Sequence, residues 1–205
     1  MLLGLYNMVL IRLDDISYLE VYVLKPFTYS PLRSMVYASL FGALTAIGAF
    51  IVVPLQPVPF TLQTFFTALS GVILGGRTAA LSQVVYLILG CMGLPVFAGG
   101  KAGLGIVLGP TGGYILGFIL GAYIIGKIVE ARAEAGIIGI ALAILAGDLI
   151  IYGLGTLWLS IIAQLSLAKA FLLGVVPFLL PELLKLMAAA FLAARIKRLT
   201  GENDD

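Results

Sequence analysis

The chain has 205 residues, of which 61% are hydrophobic and only 11% charged, with a formal net charge of +2. Its mean hydropathy is +1.15. One globular core cannot hide that much apolar surface, so the composition specifies several membrane spans of roughly 20 residues and leaves no room for a soluble domain. The single cysteine, Cys91, excludes a disulfide framework. With no histidine and no Cys or His cluster at ligand spacing, metal chemistry and Ser–His catalysis have no residues to use. No cofactor, no metal and no nucleic-acid partner is expected.

Residues 1–32 read as an N-terminal extension. The start, MLLGLYNMVLIRLDD, has its apolar run before its first charge and lacks the basic region and cleavage site of a signal. The first span is expected from Arg33 to about Pro54. On it Ala38, Gly42 and Ala46 fall four apart, a small-residue face that lets another helix approach closely. Pro54, Pro57 and Pro59 then force a turn. Gln63 and Thr64 sit at the mouth of a second span that runs to Gly75–Gly76. A tight turn at Arg77 leads to a third span over 78–93, whose polar positions are Ser82, Gln83 and Tyr86.

The stretch GLPVFAGGKAGLGIVLGPTGG, residues 93–113, is the expected lid of a substrate pocket. Glycines let a backbone approach a small molecule and adopt positive φ. Its last residues, 109–113, precede a fourth span over about 114–129, and free amides at a helix start favour an anion. Gly113, Gly117 and Gly121 again fall four apart. After the charged turn of Glu130, Arg132 and Glu134, a fifth span is expected over 136–162. Residues 163–180 read as a re-entrant or interfacial piece. The last span begins at Pro181 and ends in Arg195, Lys197 and Arg198, followed by an acidic tail, 200–205.

Six spans place both termini on one side. With that side cytoplasmic, Arg12, Lys25, Arg33, Arg77, Lys127, Arg132, Arg195, Lys197 and Arg198 lie inside, against Lys101, Lys169 and Lys185 elsewhere, the expected positive-inside bias. The lid, the proline-rich turn and the 163–180 connection then share the outer face.

Ionisable groups inside hydrocarbon are costly and mark function. Three stand out. Asp148 shares a helical stripe with Tyr152, with Trp158 close by. Glu182 and Lys185, three apart, share a face at the start of the last helix. The alternative for all three is a buried pair that merely sets helix register. As a site, they supply acceptor and donor groups with aromatic walls for a small ligand that has a polar head and an apolar body. Lys101 in the lid is a second cation, for which a solvated loop lysine is the competing reading.

Four stretches together resemble the BioY family, the biotin-binding S-components of energy-coupling factor (ECF) transporters: PVPFTLQTFFTALSGVILGGR (57–77), GLPVFAGGKAGLGIVLGPTGGYILGF (93–118), GDLIIYGLGTLWL (147–159) and PFLLPELLK (177–185). The resemblance covers roughly residues 33–197. It implies an all-α membrane protein, a six-helix S-component-like bundle with external loops capping a pocket, over a membrane domain of residues 33–199. It implies a multi-pass cell-membrane subunit that captures biotin from outside. Delivery inward would need an ATP-driven energising module of a transmembrane coupling protein and two ATPases. No catalysis is implied for this chain.

On the family pattern, Glu182, Lys185 and Asp148 are expected at the ureido group. Tyr152, Trp158 and Phe97 are expected as walls. Lys101 or the 109–113 amides are expected at the carboxylate, with Gln63, Gly99 and Gly100 completing the site. Ala38, Gly42 and Ala46 are the expected contact with the coupling protein. Two departures stand against the pattern. The family motif F-x-P-G-D-x-x-K reads here with Pro181 for the glycine and Glu182 for the aspartate, and Gly99–Gly100 replace a polar amide. An S-component for another vitamin, a small intramembrane enzyme using Asp148 and Glu182, and a channel are the rival readings. The last is disfavoured because the spans hold too few polar residues to line a wet path.

Overall fold

A computed structural model describes residues 30–132 and 136–199. The expected extension up to residue 29, with Arg12 and Lys25, lies outside the described residues, as do Glu134, the side chain of Arg198 and the acidic tail 200–205. Eight α-helices occur among the described residues: α1 Pro31–Phe50, α2 Gln63–Leu74, α3 Gly76–Cys91, α4 Leu104–Val107, α5 Gly112–Ala131, α6 Ile137–Ile162, α7 Leu167–Gly174 and α8 Leu179–Leu199. A 3₁₀ turn, Val176–Phe178, joins the last two. The all-helical expectation needs one amendment. Val52–Val53 (β1) and Phe60–Thr61 (β2) form an antiparallel ribbon, with Val52 opposite Thr61. The three prolines between them cannot continue a helix, so the chain folds back as a hairpin.

Four stretches are long and apolar enough to cross a membrane: Pro31–Phe50, Gly112–Ala131, Ile137–Ile162 and the run Leu167–Lys197. The expected second and third spans are helical but only 12 and 16 residues long. At 1.5 Å per residue they rise about 18 and 24 Å, short of a hydrocarbon core roughly 30 Å thick. They form a hairpin whose corner is Gly75, at φ 75°, where a side chain would be strained.

Helix starts follow local chemistry. Ser30 Oγ accepts from Arg33 N, with Pro31 as the first helical residue, and Ser166 Oγ accepts from Lys169 N. The expected start of the last span at Pro181 is corrected by two residues, because α8 begins at Leu179 directly from the 3₁₀ turn.

Glycine and alanine set the closeness of packing. A Cβ built on Gly117 would lie 2.9 Å from the Ile151 Cα, and one on Gly121 2.7 Å from the Ile151 side chain. The glycine stripe of α5 is therefore the seam with α6, as its spacing predicts. The core divides into two clusters. One gathers Ala68, Val72, Ala122, Ile125, Ile144 and Ala190 from α2, α5, α6 and α8. The other gathers Tyr86, Phe97, Tyr114, Phe118, Ile151 and Phe178, of which Tyr114, Phe118 and Phe178 border a cavity.

Candidate functional site

A cavity of about 550 Å³ opens at one end of the bundle. The β1–β2 hairpin, the segment from Ala98 to Thr111 and Phe178 border it, with Gln63, Thr64, Tyr114, Tyr152 and Lys185 contributed by the helices. Its volume falls within the range of small-molecule sites, roughly 300–1,000 Å³.

The floor is built on the first two turns of α8. Glu182 and Lys185, three residues apart, form an ion pair, and both are buried. Lys185 Nζ also donates to the Thr61 carbonyl at 3.0 Å and to Thr64 Oγ1. Its three N–H groups therefore have three acceptors. The same ammonium lies 4.5 Å from the centroid of the Phe60 ring, a cation–π contact. Glu182 Oε2 accepts a second bond, 2.8 Å, from Tyr152 Oη. A buried ion pair persists only when its remaining hydrogen-bonding capacity is met, and Thr61, Thr64 and Tyr152 meet much of it here.

Aromatic rings stand on this floor. Phe178 stacks on Phe60 at 6.3 Å and on Tyr152 at 6.5 Å, and Tyr114 meets Tyr152 edge-on at 6.0 Å. Tyr114 Oη donates to the Gly174 carbonyl, which ties α7 to α5. The site thus presents an apolar, aromatic enclosure with a neutralised ion pair at one end. At its rim is an exposed second cation, Lys101, whose ammonium has no ion pair among the described residues.

Most of the expected site residues come together. Lys185, Tyr152, Gln63, Gly99 and Lys101 line the cavity, and Glu182 is bonded to two of them. Asp148 is buried beneath, near enough to Glu182 and Lys185 to interact electrostatically with both, but it does not line the cavity. Its Oδ1 has no hydrogen-bond partner among the described residues.

Four expectations are corrected. Phe97 is no wall: it is fully buried, edge-on to Tyr86 at 5.5 Å, in space left by Gly90, where a Cβ would lie 2.1 Å from its ring. Trp158 does not face the cavity either. Its indole N–H bonds the Gly109 carbonyl at 3.0 Å and so fastens the glycine-rich segment to α6. The 109–113 amides are partly spent, since Gly109 N and Gly112 N donate to Ile106 O and Gly109 O. Gly99 and Gly100, at φ 70° and 74°, make the turn that pairs Phe97 with Lys101, and Gly100 does not border the cavity.

The small-residue face of α1 is also corrected by burial. Ala38 and Gly42 are buried inside this chain, and a Cβ on Gly42 would lie 3.0 Å from the Ser82 carbonyl of α3. Ala46 packs on the aromatic cluster. The small residues that α1 turns outward, again four apart, are Ser39 and Ala43.

Sequence reasoning missed Phe60, Thr61, Phe178 and Tyr114 as site residues. The Phe-Thr alternation entering a helix behind three prolines was the available signal for the first two, since period two puts one residue on each face of a ribbon.

Fold and site together define an integral membrane bundle with a small-molecule cavity at one end. In a solved structure described as the S-component for biotin from an ECF-type ABC transporter, the same fold recurs with a TM-score of 0.77, over 83% of this chain and 95% of that one, at 24% identity. The BioY family model matches residues 21–202. A biotin transporter BioY from Thermotoga maritima is 45% identical over 177 residues, covering 83% of this chain and 99% of the relative. A probable biotin transporter BioY from Pyrococcus horikoshii is 43% identical over 78% of this chain and 93% of its own. The chain belongs to the BioY family.

Proposed function

We propose that this chain is the biotin-binding substrate-specificity subunit of an ECF-type vitamin transporter. The observation that carries the reading is the Glu182–Lys185 pair, buried at the floor of an aromatic cavity in a chain only 11% charged. Biotin carries a ureido ring with two N–H donors and one carbonyl acceptor, an apolar thioether ring and a carboxylate tail. Glu182 can accept from the ureido N–H groups. Lys185 can turn one N–H from Thr64 to the ureido carbonyl. Phe60, Tyr152 and Phe178 suit the apolar ring. Lys101, the exposed cation at the rim, suits the carboxylate, with the ring end inward. Glu182 is one methylene longer than the aspartate of the family motif, and its Oε2 accepts from Tyr152 Oη at 2.8 Å.

Six helices form the membrane body in this reading, with α2 and α3 as a partly buried hairpin and residues 33–199 as the membrane domain. The β1–β2 hairpin and the glycine-rich segment cap the cavity from outside. Both termini are cytoplasmic, in keeping with Arg77, Lys127 and Arg132 at the bundle end away from the cavity. Transport into the cell requires an energising module of a coupling protein and two ATPases. The outward small residues of α1, Ser39 and Ala43, are the contact proposed for the coupling protein, in place of Ala38, Gly42 and Ala46.

The test is calorimetric titration of the purified chain with biotin, thiamine and riboflavin, together with mass spectrometry of the ligand that copurifies. Heat with biotin alone supports the reading. Heat with thiamine or riboflavin instead makes the chain an S-component for another vitamin, and no heat with any of the three defeats it.

A further inference from the structure

Tyr86 of α3 is almost wholly buried, 1% exposed, and does not line the cavity, yet it stands at the centre of the contacts that shape it. Its Oη accepts a hydrogen bond from Gln63 Nε2. Gln63 Oε1 accepts from Thr61 Oγ1 at 2.9 Å, and Gln63 N donates back to that hydroxyl at 3.3 Å. The Thr61 carbonyl is the acceptor that Lys185 reaches at 3.0 Å from the other side of the bundle. On its opposite flank the Tyr86 ring receives the edge of Phe97, whose backbone exchanges both of its bonds with Lys101.

The chain of contacts therefore runs from the rim cation to the floor cation, and Tyr86 joins its two halves. The order of donors along it is fixed. Thr61 Oγ1 donates to Gln63, which orients the amide so that its Nε2 points to Tyr86. Remove the phenol oxygen and that buried Nε2 has lost its acceptor. The cost of an unmet buried donor drives the amide to rotate, and rotation breaks its bond with Thr61.

Resting on the biotin-binding reading above, we infer that Tyr86 is a positioning residue for the vitamin site: through Gln63 and Thr61 it holds the β2 carbonyl that aims the Lys185 ammonium. It touches no ligand. Its effect is on where an existing cation points, so its phenol oxygen matters for affinity more than for folding. The ring itself serves the packing against Phe97.

The experiment titrates biotin into the full-length chain in detergent, using wild type, Tyr86→Phe, Thr61→Val, their double variant and Thr61→Ser. Tyr86→Phe keeps the ring and should weaken biotin by roughly three- to tenfold, the range of one buried hydrogen bond, while the ligand-free melting temperature stays within a few degrees. Thr61→Val should weaken it similarly, and Thr61→Ser, which keeps the hydroxyl, should restore it. The double variant should bind no worse than the weaker single, because both cuts fall in one chain. Unchanged affinity in Tyr86→Phe overturns the inference, and so do losses that multiply in the double variant. Should Tyr86→Phe not fold, the Thr61 pair decides: equal affinity of Thr61→Val and Thr61→Ser overturns it. A wild type that gives no heat with biotin overturns the binding reading, and this inference with it.

Discussion

The two ends of the bundle are built from different materials. Away from the cavity, α2, α5, α6 and α8 meet through alanine, glycine and aliphatic side chains, with Phe41 the one aromatic ring in that buried cluster. A Cβ on Gly126 would lie 2.2 Å from the Gly76 backbone nitrogen, and one on Gly147 2.3 Å from the Ile125 side chain. At the cavity end, five of the ten buried residues are aromatic, and polar chains thread between them. Small residues let helix backbones approach and lock by close packing. Large rings hold backbones apart and leave space. This fold packs its helices tightly at one end and keeps the other hollow.

Four measurements on the purified chain test that contrast. The largest effect is expected from Lys185→Ala. It removes the charged donor proposed for the ureido carbonyl, a bond of about 1.5–3 kcal/mol, so biotin affinity should fall by about ten- to a hundredfold, and it leaves Glu182 buried without its counter-charge, which should lower the melting temperature as well. Next is Gly126→Ala at the opposite end. The added methyl has no room, and overpacking of about 1–3 kcal/mol should lower the melting temperature by roughly 5 °C, with biotin affinity unchanged wherever the chain is folded. An affinity loss there would show that the ends are not independent.

Trp158→Phe removes the indole bond to Gly109. At about 1 kcal/mol, biotin should dissociate roughly fivefold faster, as read by stopped-flow chase with unlabelled ligand. The smallest effect is expected from Lys101→Met. An exposed cation contributes up to about 1 kcal/mol, so affinity should drop only severalfold, and by less at high salt. A loss as large as that of Lys185→Ala would reverse the proposed roles of the two lysines.

Much of the helical frame was legible in the sequence because hydrocarbon leaves the chain few choices: apolar runs become helices, and glycines four apart become seams. The floor of the site was legible for the same reason. Charges at Asp148, Glu182 and Lys185 are too costly in such a chain to be accidental. What sequence could not give was register and reach. The face of Ala38 and Gly42 and that of Ser39 and Ala43 differ by one residue, about 100° around α1, and both read as small-residue stripes. Phe97 and Trp158 sit in glycine-rich surroundings that suggest a pocket wall. Yet the space left by Gly90 draws Phe97 into the core, and the indole N–H commits Trp158 to a loop carbonyl. Thr61 and Thr64 are ordinary residues until a lysine 121 or more positions away reaches them.

Trp158 has one more consequence. It is the chain's single tryptophan, and its indole is tied to a carbonyl on the segment that borders the vitamin's chamber. The protein therefore comes with its own optical gauge. Near-ultraviolet excitation of unlabelled material reports one location, and any movement of the rim as the chamber fills shifts the colour or brightness of that one emitter.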